Sequence, residues 1–244
     1  MLANVQFKNL LVIDIETVPV VPELKSMSDN MQELWESKEG HKCPEELTQQ
    51  NYFFSRAGIY AEFGKVICIS CGIFTEDKET GHLTFRIKSM AGRDEEKVLM
   101  GFAELLNLYY NRPEYHALVG HNIKEFDIPY LCRRMLINGL SLPKVLDIAG
   151  KKPWETNFID TMELWKFGDR KNFTSLSLLA ELFAIPTPKD DIDGSQVAGV
   201  FWRDNNLERI VHYCQKDVLA VAQLILRFKH MPLLREEDVT IVEL

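Results

Sequence analysis

Asp14 and Glu16 close the apolar run NLLVIDIE with one residue between them, and a strand's period of two turns both carboxylates to the same face. Two acids on one face of an otherwise apolar strand are costly to bury unless a cation offsets their charge. Hard oxygen ligands of this kind suit Mg²⁺ or Mn²⁺. A strand end fraying into solvent carries the same residues for no chemical reason, so the pair alone leaves both readings open. Further on, VGHNIKEFDIPYL brings Asn122 and Asp127 to the start of a helix with Pro129 in its first turn. Asp127 has the chemistry of a metal ligand and equally that of an N-cap. On NLERIVHYCQKDV, Tyr213 precedes Asp217 by four residues, which on a helix separates them by about 40°. His212 precedes it by five, about 140° away.

These residues need elements to position them. Residues 9 to 15 read as a buried strand that stops at the Pro of ETVP. Residues 19 to 63 carry two helix-like pieces, one around Met27, Met31, Leu34 and Trp35 and one from Glu45 to Phe54, and are expected to form a helical insertion after strand one. KVICISCGIF and HLTFRIK flank the turn-rich EDKETG and read as a hairpin. A helix follows over 95–110, a short strand at 117–120, a helix over 127–138 stopped by Gly139, and a strand near 157–161. Helices at 175–183 and 206–228 complete the order, which predicts an α/β fold with a mixed sheet between helices. Apolar residues at 207, 210, 211, 214, 218, 221, 222, 225 and 228 keep helical spacing without a break. That continuity places Tyr213 on the face of Asp217 and turns His212 away.

Together the three groups, D-x-E on strand one, N-x₃-F-D after strand four and Y-x₃-D on the last long helix, resemble the three motifs of the DEDD superfamily of 3′→5′ exonucleases, in its tyrosine subtype. DIETVP and YCQKDV are most similar to the stand-alone family related to the proofreading domain of B-family DNA polymerases, and the resemblance spans residues 9 to 228. It implies an RNase H-like α/β/α sandwich with a five-stranded sheet whose second strand is antiparallel, filling 1–244 as a single exonuclease domain. It also implies two divalent ions, Mg²⁺ or Mn²⁺, held by Asp14, Glu16, Asp127 and Asp217, with Tyr213 orienting the attacking water. His212 fits the H-x₄-D spelling of the histidine subtype, so the sequence carries both patterns. Thr17 and the backbone after Glu16 are placed to hold the terminal nucleotide, and by the same resemblance Asn122 and Phe126 lie beside the second motif where the family contacts DNA, although Phe126 has equally the character of a core residue.

Lys166 and Arg170 lie in WKFGDRKNF, where cations interleave with aromatic residues in a composition suited to phosphate contact and base stacking. A solvated loop anchored by its aromatics has the same composition. The implied substrate is the 3′ end of a single strand, DNA ahead of RNA. An exoribonuclease of the same fold, or an idle nucleic-acid-binding scaffold, would share most of these features.

The 244 residues carry 28 Lys and Arg against 36 Asp and Glu, a formal charge of −8. Such a balance excludes the strongly basic footprint of a protein that coats duplex nucleic acid, so contact with a nucleic acid is local or mediated by metal. Five cysteines show no secreted framework and point to a reducing, cytoplasmic setting. Cys68 and Cys71 form a C-x₂-C inside the apolar VICIS and read as buried strand residues rather than zinc ligands. No apolar stretch approaches the ~20 residues of a membrane span, and MLANVQFKNL lacks the basic-then-apolar grading expected of a signal peptide.

Overall fold

In the computed structural model, which describes residues 2, 5–169, 173–186 and 192–242, the apolar alternation of the first strand becomes the centre of a sheet. The strands are β1 (Leu10–Pro19), β2 (Gly64–Glu76), β3 (Leu83–Ala91), β4 (Ala117–Gly120), β5 (Phe158–Asp160) and β6 (Val239–Val242). Their order is β5-β4-β1-β2-β3-β6. β2 is antiparallel to both its neighbours while the remaining pairs are parallel, so β2 alone runs against the rest. The expected antiparallel second strand is there, but the sheet has six strands and not five. The sixth is a four-residue edge strand, Val239–Val242, with two residues exposed. A segment that short and half-wet has too little alternation to be read as a strand.

β1 runs to Pro19, past the expected end, with a register shift against β2 between Glu16 and Thr17. Its alternate residues serve two cores. Leu11, Ile13 and Ile15 pack with Val98, Leu99 and Phe102 of α3 (Glu95–Tyr109) and with Ile128 and Leu131 of α4 (Asp127–Ile137). Leu10 and Val12 face the opposite way, with Val218, Val221 and Ile225 of α8 (Leu207–Phe228). The result is a sheet between two helical layers. Gly72, opposite Val12 on β2, lets the layers close: a Cβ there would fall 2.1 Å from Phe85 Cζ and 2.8 Å from Val218 Cγ1.

Between β1 and β2 lie α1 (Asp29–Lys38) and α2 (Gln49–Arg56), whose N-terminal amides are met by the Ser28 and Thr48 hydroxyls. They form the expected helical insertion and bury Trp35, Tyr52, Phe53 and Phe63 in a cluster of their own. Tyr130 of α4 donates to Gly58 O at 2.9 Å, and Trp202 Nε1, at the end of α7 (Val197–Trp202), donates to Pro19 O at 3.1 Å. The insertion is thereby fixed at the carboxyl end of β1. The short helices α5 (Thr161–Lys166) and α6 (Leu176–Leu182) come between β5 and α7; α5 and α7, at six residues each, are too brief to show a period in the sequence.

A buried ion pair joins the insertion to the frame. Glu95, at the start of α3, accepts from Val66 N at 2.7 Å and from Arg134 Nε at 2.9 Å, while Arg134 Nη1 donates to Ala61 O at 2.9 Å. Both side chains are more than nine-tenths buried. Removing one partner leaves the other charged and dry, so Glu95→Ala should cost about 3–5 kcal/mol in urea unfolding. Substituting both, as Glu95→Leu with Arg134→Met, should recover most of that loss. A single-variant cost below about 1 kcal/mol would contradict this placement of the pair.

Candidate active site

The carboxyl end of β1 delivers Asp14 and Glu16 to the face that α8 covers, since they continue the alternation of Leu10 and Val12. Glu16 is 7% exposed. Asp127 enters from the start of α4, 4% exposed, with its carboxylate against the N–H of Ile15. The capping reading of Asp127 does not hold: Phe126 occupies the N-cap position without a side-chain bond, and Asp127 is the first helical residue, turned inward to β1. Asp217 comes from α8, an unbroken helix of 22 residues, and acts electrostatically on all three other acids.

Burial and mutual repulsion set the protonation of this group. Loss of water, then the charges of Asp217, Glu16 and Asp127, push the Asp14 carboxyl well above its ordinary range. Glu16 is raised as well, by burial first and the Asp217 charge next, with Cys68 and Asp127 adding to it. Asp127 is pushed up to about 7, mainly by burial, with the Asp160 and Asp217 charges adding to it. Carboxylates held this way fit divalent cations: the donors are hard, converge from three elements, and are costly together without added positive charge.

Tyr213 is half-buried beside the cluster and hydrogen-bonded to Asp217, and burial with the Asp217 charge pushes its phenol up. His212 is exposed on another face of α8, beside Gln215, Lys216 and Leu219. The structure thus brings Asp14, Glu16, Asp127, Asp217 and Tyr213 together and leaves His212 outside.

The remaining expected residues are dispersed. Thr17 Oγ1 donates to Gly58 O at 2.8 Å, so its hydroxyl anchors the insertion. Phe126 packs against the α3–α4 core, its ring 5.4 Å from that of Tyr130. Asn122, at a left-handed φ of 61°, and Lys166 line one cavity of about 320 Å³ together with Lys124 and Lys151. The Lys166 ammonium sits 4.2 Å from the centre of the Phe173 ring. Arg170 lies outside the described residues.

Two features escaped the sequence reading. Asp160, at the end of β5 and 3% exposed, accepts from the backbone N–H groups of Asn122 at 3.0 Å, Lys124 at 3.1 Å, Met162 at 2.9 Å and Glu163 at 3.2 Å. It holds the loop that leads to Asp127 in place and caps α5. The spacing D-x-x-E of Asp160 and Glu163 was the available capping signal. The other feature is Cys214, whose thiol donates to Asp14 Oδ2 at 3.2 Å; adjacent to Tyr213 in the sequence, it was read only as part of the apolar stripe.

A mixed sheet of this order between two helical layers, with acids at the carboxyl end of its central strand, has the RNase H-like α/β architecture. The family described as a predicted 3′-5′ exonuclease related to the exonuclease domain of PolB matches residues 59–239, and the chain belongs to it. The matched span includes Asp127, Tyr213 and Asp217, while Asp14 and Glu16 precede it. The family B DNA polymerase from the hyperthermophilic archaeon Pyrobaculum calidifontis superposes over 90% of this chain with a TM-score of 0.51 at 18% identity. The chain spans 24% of that polymerase's length, and the likeness is one of fold. No curated protein matches. Among the described residues no helix is long and apolar enough to cross a membrane.

The raised carboxyls tie stability to pH and to metal. In the metal-free protein, groups with elevated folded values contribute stability fully below their unfolded values, and that contribution is lost as pH rises through the folded ones. For Asp127 this window runs from 3.8 to about 7. Mn²⁺ at a hundredfold excess over its Kd should therefore raise Tm by about 5–10 °C at pH 8 and by almost nothing near pH 4. Asp14→Asn should raise the metal-free Tm at pH 8 and shrink the Mn²⁺ gain. An equal gain at both pH values would contradict the cluster's role.

Proposed function

We propose that this chain, acting over 1–244 as one exonuclease domain with 19–63 as its helical cover, is a tyrosine-subtype DEDD enzyme. It hydrolyses the terminal phosphodiester at the 3′ end of a single strand and releases nucleoside monophosphates. The observation that carries the reading is the convergence of Asp14, Glu16, Asp127 and Asp217 beside Tyr213, from β1, α4 and α8. Two divalent ions, Mg²⁺ or Mn²⁺, fit this donor set and supply charge neutralisation at the scissile phosphate and an acidified water. DNA is the favoured substrate because the family is described by its relation to a DNA polymerase's exonuclease domain.

The protein's own part follows from the geometry. Tyr213 is bonded to Asp217, and a phenol that donates there keeps oxygen lone pairs to accept an O–H from a water. Burial and the neighbouring acids keep the phenol protonated through neutral pH, so it orients the nucleophile without removing its proton. Asp160 holds the backbone of Asn122 and Lys124, which sets the approach to Asp127. The adjoining cavity has a mixed lining, Lys124, Lys151 and Lys166 with Glu125, Asp160 and Glu163, and Lys124 is paired with Glu163, so Lys151 and Lys166 are its candidates for contact with the phosphates of a single strand.

Release of mononucleotides from 3′-labelled and 5′-labelled DNA and RNA oligomers, with Mg²⁺, Mn²⁺ or EDTA, tests activity, direction and sugar together. Tyr213→Phe removes only a hydroxyl, so folding should persist while the rate falls roughly 10²- to 10⁴-fold. His212→Gln should retain most of the activity. The reverse pattern would place the enzyme in the histidine subtype.

A further inference from the structure

The closest set of potential metal ligands in the cluster includes a sulfur. Ligand atoms of Asp14, Glu16 and Cys214 all lie within 4.8 Å of one another. Cys214 is fully buried on α8 and donates to both Asp14 Oδ2, at 3.2 Å, and Asp14 O, at 3.4 Å. Glu16, 7% exposed, stands two residues along the same face of β1. Cys68, a free thiol opposite Glu16 on β2, is hydrogen-bonded to the Cys214 thiol and also lies near Glu16. A hard cation has no use for these thiols, whereas a borderline-soft one binds sulfur and carboxylate together.

We infer that Asp14, Glu16 and Cys214 form a second mode of metal binding, a three-ligand site for Zn²⁺ that competes with the ions of catalysis and switches the enzyme off. The inference rests on the exonuclease reading for its inhibitory consequence but not for the site itself. Tetrahedral zinc with a Zn–S bond of about 2.3 Å and Zn–O bonds of about 2.1 Å separates its ligands by about 3.4–3.6 Å. The three atoms therefore need to close by little more than about 1 Å from their outer limit, within reach of side-chain rotation. Binding makes one Zn–S and two Zn–O bonds in exchange for waters of the hydrated ion, and the Cys214 proton, with any proton held by Asp14 or Glu16, passes to the buffer. A water fills the fourth position. With Asp14 and Glu16 drawn toward the sulfur, they are withdrawn from Asp127 and Asp217, and the four acids no longer act as one ligand set.

The test uses Co²⁺ as a spectroscopic stand-in for Zn²⁺ on the full chain, because a thiolate bound to Co²⁺ gives a near-ultraviolet charge-transfer band that carboxylates do not. One equivalent of Co²⁺ should produce the band, and Zn²⁺ should displace it. Cys214→Ser and Cys214→Ala, each checked for folding by circular dichroism, should both lack it, while Cys43→Ser in the insertion keeps it. In parallel, Zn²⁺ added to a Mg²⁺-supported assay should depress the rate of the unsubstituted protein at least tenfold more than that of Cys214→Ser, each compared with its own zinc-free rate. No band in the unsubstituted protein, or a band that survives in Cys214→Ala, overturns the site. A band without any nuclease activity would leave the site standing and overturn the proposed function instead. A band with equal zinc inhibition in both proteins would overturn the switch.

Discussion

The cost of gathering carboxylates under a helix is the constraint on which the rest of this structure depends. Asp14 and Glu16 occupy the face of β1 that, two residues earlier, carries Leu10 and Val12 into the core beneath α8. Placing acids there forfeits their hydration, and adding Asp127 and Asp217 compounds the loss by repulsion. Folding tolerates this only because rigid elements enforce it. β1 is the third strand of a six-stranded sheet with partners on both sides, and α8 is anchored along its length by Val218, Val221 and Ile225. The stability lost at the site is supplied by the two cores, which is the ordinary relation between a reactive centre and its scaffold.

The same rigidity selects which residues join the centre. Because α8 runs unbroken from Leu207 to Phe228, Tyr213 returns to the face of Asp217 and His212 is carried to an exposed groove. At the other approach, Asp160 takes four backbone N–H groups and fixes the loop in which Asn122 adopts a left-handed conformation. The insertion is secured at the carboxyl end of β1 by Thr17 and Tyr130, which both donate to Gly58 O. The positions of the reactive groups are thus set by strand register, helix phase and loop anchoring rather than by bonds among the acids.

Features governed by period were legible in the sequence. The alternation in NLLVIDIE gave the shared face of Asp14 and Glu16, and the apolar spacing of α8 gave the phase of Tyr213. Gly139 ends α4 as expected, at φ 71°. What stayed hidden depends on contacts between distant segments. The edge strand Val239–Val242 exists because β3 offers it a partner, and its own four residues carry no pattern to announce it. Asp127 looked equally suited to capping, since only the position of β1 decides that it turns inward. Thr17 has the type of a substrate ligand, yet its hydroxyl is taken by Gly58, 41 residues on. Cys214 sits at a core position of the helical stripe, and nothing local indicates that Asp14 stands against it across 200 residues.

The central claim, that four acids from β1, α4 and α8 form one cation site, is tested most directly by anomalous scattering from crystals grown with Mn²⁺. The account predicts manganese peaks bounded by the carboxylate oxygens of Asp14, Glu16, Asp127 and Asp217. Peaks lying only elsewhere on the protein, with these carboxylates unchanged and unliganded at saturating Mn²⁺ above pH 7, would contradict it.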